Sequence, residues 1–137
     1  MKKLVAVLLS MVMVFAATAA FAQDVAVIVI DEKVEFDRAP LVEEEVLYIP
    51  LRFVAEKLGA TVAWDGETQS VFVSVDGILS SLQIGNGKIF SNGDSYEMAK
   101  APVLVESRTL VTSDIIERML GVKVAWDKES GIATVNK

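Results

Sequence analysis

Two carboxylates occupy the same place in a repeated string, Asp65 in Val62-Ala63-Trp64-Asp65 and Asp127 in Val124-Ala125-Trp126-Asp127. Carboxylates held about 5 to 9.5 Å apart across a cleft can hydrolyse a glycosidic bond. An exposed indole beside each would give a sugar ring a flat face to stack on. A plainer reading fits the spacing better. Each Asp heads a polar turn, Asp65-Gly66-Glu67-Thr68 and Asp127-Lys128-Glu129-Ser130, where its side chain can bond the backbone two residues on. Each Trp alternates in phase with valines, which predicts that both rings face a core.

Three further groups could contact a ligand. Glu43-Glu44-Glu45 offers oxygen donors, but without the spaced Asp-x-Asp-x-Asp-Gly loop that calcium favours, so it reads as a solvated loop. Arg52 opens an expected helix, where the positive helix end disfavours a cation. A carboxylate, either Asp65 or a loop glutamate, is the expected partner, with a bound ligand as the alternative. Phe72 is out of phase with Val71 and Val73. If its strand is covered on one face only, Phe72 is exposed and forms a contact surface with Tyr48; if the insert strand or the other unit covers that face, it is core.

Composition removes most other chemistry. There is no cysteine and no histidine, so disulfides, thiolate nucleophiles, Ser-His-Asp catalysis and imidazole-ligated metals are unavailable. No cofactor is expected. Residues 1–22 have the layout of a secretory leader: Lys2 and Lys3, an apolar run from Leu4 to Ala17, and Ala20-Phe21-Ala22 as a small-x-small cleavage site. The run is short for a span of about 20 residues, so an exported protein with no lasting membrane span is expected, in the medium or the cell envelope. Of 13 basic residues two fall in the leader, leaving 11 against 19 acidic ones over 23–137. That balance argues against nucleic acid as a partner.

The elements that must carry these residues are written twice. Trp64 and Trp126 share an offset of 62 with Pro40 and Pro102, and an ungapped overlay of 27–75 on 89–137 also pairs Leu58-Gly59 with Leu120-Gly121. This predicts one domain over 23–137, made of two repeat units with a short insert, Asp76 to Lys88. Each unit reads as hairpin, polar loop, helix, hairpin. The first hairpin turns at Asp31-Glu32-Lys33, before a strand Val34-Glu35-Phe36; its counterpart turns at Asn92-Gly93, a strong hairpin signal. Leu51, Val54, Ala55 and Leu58 have helical spacing between Pro50 and Gly59, and Ile115, Ile116, Met119 and Leu120 repeat the stripe behind Thr112 or Ser113 as N-cap. The expected class is α+β, an antiparallel sheet curled around two short helices.

The strings APLVEEEVLYIPLRFVAEKLGATVAWDGETQSVFV and APVLVESRTLVTSDIIERMLGVKVAWDKESGIATV resemble the two repeats of the copper amine oxidase N-terminal-like domain, or stalk domain. The resemblance spans nearly all of 23–137 and implies a non-catalytic α+β unit of exported bacterial proteins. In that family copper and amine oxidation belong to a separate domain. The second string departs from the pattern where Thr112-Ser113-Asp114 replaces Pro50-Leu51-Arg52.

These readings converge on an exported, non-enzymatic binding or scaffolding module of the cell surface or envelope. Its expected partners are cell-wall glycan or peptide, or another envelope protein. Two rivals remain at this point: a polysaccharide hydrolase working through an Asp/Glu pair, and a structural subunit that self-associates through a sheet edge or the Phe72 face.

Overall fold

Residues 25–137 are described here from a computed structural model; the leader expected at 1–22 lies outside them. The chain after it is mostly antiparallel sheet with two short helices, and the sheet curls into a half-barrel.

The centre of the molecule is a pairing between two strands, β4 (Val46–Pro50) and β11 (Arg108–Thr112). They run antiparallel with Ile49 opposite Val111, Tyr48 opposite Thr112 and Pro50 opposite Leu110. Ile49 and Val111 are 62 residues apart in sequence and face each other, both fully buried. Each strand is completed by its own hairpin partner, β3 (Leu41–Glu43) on β4 and β10 (Val103–Val105) on β11, giving the order β10-β11-β4-β3. Polar loops were expected in these places. The loops fold back as hairpins because Glu44 and Glu45, and likewise Glu106 and Ser107, take positive φ at both turn positions, the geometry a two-residue hairpin turn requires.

Two outer sheets flank this centre. In one, β12 (Lys123–Asp127), β13 (Ile132–Asn136), β1 (Ala26–Val29) and β2 (Glu32–Lys33) lie in that order. In the other, β5 (Thr61–Asp65), β6 (Ser70–Val75), β7 (Ile78–Gln83), β8 (Lys88–Ser91) and β9 (Asp94–Glu97) follow one another. The first sheet joins the C-terminal hairpin β12–β13 to the N-terminal hairpin β1–β2, and the second joins β5–β6 to β8–β9. The joint differs between them. β13 pairs with β1 directly and in parallel, an exception to the all-antiparallel expectation. β6 and β8 are separated by the insert strand β7, which is antiparallel to both. Consecutive parallel strands need a long crossover; a short β7 meets the same need by hairpins, with Asp76-Gly77 as one turn at positive φ. The first hairpin turns at Ile30-Asp31, earlier than predicted, again with positive φ at both residues.

The helices α1 (Leu51–Lys57) and α2 (Ser113–Leu120) bury the predicted stripes, Leu51, Val54 and Ala55 in one and Ile115, Ile116, Met119 and Leu120 in the other. Pro50 sits at the N-cap of α1, and Gly59 ends it at φ +88°. There the Ala60 N–H donates to the Ala55 carbonyl and the Gly59 N–H to that of Glu56, the paired bonds of a Schellman stop. Thr112 holds the N-cap of α2, but its hydroxyl donates to Asp114, which also accepts from the Ile115 N–H at 3.0 Å. Val71, Val73, Ala133 and Val135 close the core from the two outer sheets.

Candidate functional site

Asp65 and Asp127 are the turn residues their spacing predicts. The Glu67 N–H donates to Asp65 Oδ1 and the Glu129 N–H to Asp127 Oδ1, both at 3.0 Å. They stand in different sheets, each committed to its own turn. Glu43 ends β3, while Glu44 and Glu45 form the exposed turn after it.

The tryptophans depart from expectation. Trp64 pairs across to Val71, whose side chain is buried, so the predicted face is correct, yet the indole is 43% exposed. The reason is position: β5 is an edge strand, and a large ring on its inner face overhangs the rim of the core. Trp126 is half-buried against the core, with its indole Nε1 buried and without a hydrogen-bond partner among the described residues. The two rings therefore occupy matched strands in different environments.

Beside Trp64 lies a cavity of about 600 Å³ between α1, β5 and the β10–β11 hairpin. Leu51 and Val71 form its buried floor, Trp64 and Phe53 its walls, and Leu104 and Arg52 its exposed rim. Phe53 is fixed by an edge-on contact with Phe36 at 5.7 Å. Arg52 does not reach Asp65 or a loop glutamate. Its Nη1 meets Glu56 on the next turn of the helix at 3.4 Å, an exposed pair of the kind that contributes a few tenths of a kcal/mol. Nearby, Arg108 donates through Nε to both oxygens of Asp37, at 3.1 and 3.0 Å, and also through Nη2. That hydrogen bonding holds the Asp37 carboxyl below its usual range and raises Arg108. Arg38 and Glu106 add a second tie alongside at 3.1 Å.

Tyr48 and Phe72 do not share a surface. Tyr48 is 8% exposed, enclosed in the middle of the central sheet between Leu41 and Thr112, which corrects its expected place on a contact face. Phe72 is exposed, at 40%. The insert strand β7 lies beside β6 and so extends the sheet without covering it. Its outer face carries two apolar residues that sequence reasoning missed, Phe90 and Leu79. Phe72 is opposite Ser81, and Ser81 is opposite Phe90, so the two rings share one row, two strands apart. Ser70, Ser74 and Ser95 surround them on that face. The available signal was Phe90 alternating out of phase with Ile89; it becomes readable only when β7 and β8 are known to continue the sheet.

A small curled-sheet domain, with an open aromatic cavity and a flat Phe/Ser face, is the class of protein that emerges. The chain belongs to the copper amine oxidase N-terminal domain family, whose model matches residues 28–135. The N-terminal domains of that family are non-catalytic. With no histidine or cysteine in the sequence, the donor set does not fit copper, which favours imidazole and sulfur ligands. No curated protein matches the sequence.

Proposed function

We propose that the protein is an exported, non-catalytic binding module of the cell envelope, built from two copies of one hairpin–helix–hairpin unit, that holds cell-wall glycan on the outer face of β5–β9. The observation that carries this reading is the row Phe72–Ser81–Phe90. Two strand spacings separate the rings by about 10 Å, close to the length of one disaccharide in an extended β1,4-linked glycan, in which alternate sugars present the same face. The flanking serines offer hydroxyls to a sugar without closing the surface. Leu79, exposed at 61%, extends the apolar patch, and a patch of this kind on a soluble face marks an interaction site.

The two-unit architecture is supported by the shared 62-residue register, including the Ile49–Val111 contact. The leader at 1–22 supports export. Sedimentation with purified wall material tests the binding claim: the wild-type protein is expected in the pellet, and Phe72→Ser/Phe90→Ser in the supernatant with its unfolding midpoint kept. Equal retention of the two proteins would sink the glycan reading. A mass in light scattering that rises with concentration, and is lost in the same variant, would favour self-association instead.

A further inference from the structure

The cavity beside Trp64 has a counterpart position 62 residues on, and the two positions differ in the residues at the adjoining turns. At the second position Lys128 Nζ lies 3.5 Å from Glu45 Oε1, joining the turn after β12 to the turn between β3 and β4. The residues equivalent to Lys128 and Glu45 in the first unit are Gly66 and Ser107. A side chain at Gly66 would begin 3.4 Å from the Trp64 indole nitrogen. Ser107 lines the cavity itself. The bridging pair is thus replaced by two short residues that cannot span the turns, Arg52 stands at the rim where the second unit has Asp114, and Leu104 stands where it has Val42.

We propose that this cavity is a binding site for a small molecule with a flat apolar body and one anionic group. The volume is within the range of about 300 to 1,000 Å³ that small-ligand sites occupy. Trp64 and Phe53 supply faces for a planar body. The two charged residues in the lining, Arg52 and Arg108, are both cationic in a chain of net charge −6. Arg108 is engaged with Asp37, so Arg52 is the group that meets the anion; its pair with Glu56 is long, exposed and easily exchanged. This site is on the opposite face of β5–β6 from Phe72, and its test does not depend on glycan binding.

The test uses two fluorescent probes on the full-length protein, anionic 8-anilinonaphthalene-1-sulfonate and neutral N-phenyl-1-naphthylamine. Saturable binding at one site is expected. Gly66→Lys/Ser107→Glu, which installs the bridging pair of the second unit, should weaken both probes by about tenfold or more. Arg52→Gln, an exposed change that leaves the core untouched, should weaken the anionic probe by about fivefold and leave the neutral one unchanged. The reciprocal Glu45→Ser/Lys128→Gly should add a second site for the neutral probe only, because Asp114 stands there in place of Arg52. Unchanged affinity in the bridged variant at an unchanged unfolding midpoint overturns the site. An equal response of both probes to Arg52→Gln overturns the anionic requirement.

Discussion

At the scale of single residues, the differences between matched positions are more informative than the similarities. Asp65 and Asp127 do one job twice, each accepting from its own turn. Ile30 and Asn92 do not. Both open a two-residue turn at positive φ, followed by Asp31 and Gly93. A β-branched side chain in the left-handed region is strained, whereas Asn-Gly suits it. Ile30 is 46% exposed, so little burial offsets that strain. Ile30→Asn/Asp31→Gly is expected to stabilise the fold by about 1 kcal/mol, measured as a higher denaturant midpoint at constant slope. Gly59→Ala should act in the other direction by about 1 kcal/mol, because φ is +88° where the Schellman bonds close α1.

At the scale of elements, both helices and the closing hairpins β5–β6 and β12–β13 were legible because burial writes itself as periodicity: Val71 and Val73 alternate inward, and Leu51, Val54 and Ala55 return every turn. The hairpins β3–β4 and β10–β11 were not, since Glu44-Glu45 and Glu106-Ser107 lack the usual Gly or Asn; their turns are held by the β4–β11 pairing, a contact invisible to local pattern. Alternation also gave the face of Trp64 but not its distance from the sheet edge, and so missed the cavity. The two edges β5 and β12 differ in one more respect. Glu117 Oε2 accepts from the Val124 N–H at 2.8 Å and caps the edge strand β12; the equivalent of Glu117 is Ala55, buried in the core. Glu117→Ala should therefore cost about 1 to 2 kcal/mol. Hydrogen exchange at Val124 should rise more than at the buried Val135 amide region, and equal acceleration at both would argue against a local edge cap.

For the whole molecule, one continuous core draws on both helices and all three sheets, and the ion pairs are a surface supplement. Asp37 is held low by hydrogen bonding to Arg108, and Glu32 by its bond to Lys57. Both carboxyls therefore have folded values below the unfolded ones of about 3.9 and 4.3. The sign follows by linkage: their contribution is complete above those values and is lost as pH falls through the depressed ones. The unfolding midpoint should stay level from neutrality to about pH 5 and drop below about pH 4 as these pairs protonate. Asp37→Asn should flatten part of that acid limb, and added salt should shrink the difference because both groups are exposed. A limb unchanged in Asp37→Asn would show that the Arg108 pair does not contribute.

The central claim is that a non-catalytic domain presents the Phe72–Ser81–Phe90 row to β1,4-linked glycan. The most direct measurement is an NMR titration of isotope-labelled protein with a β1,4-linked N-acetylglucosamine tetramer. Saturable shifts at residues 72, 81 and 90 and their serine neighbours, absent in Phe72→Ser/Phe90→Ser, are predicted. Shifts that leave this face unmoved, or no shifts at all, would contradict it.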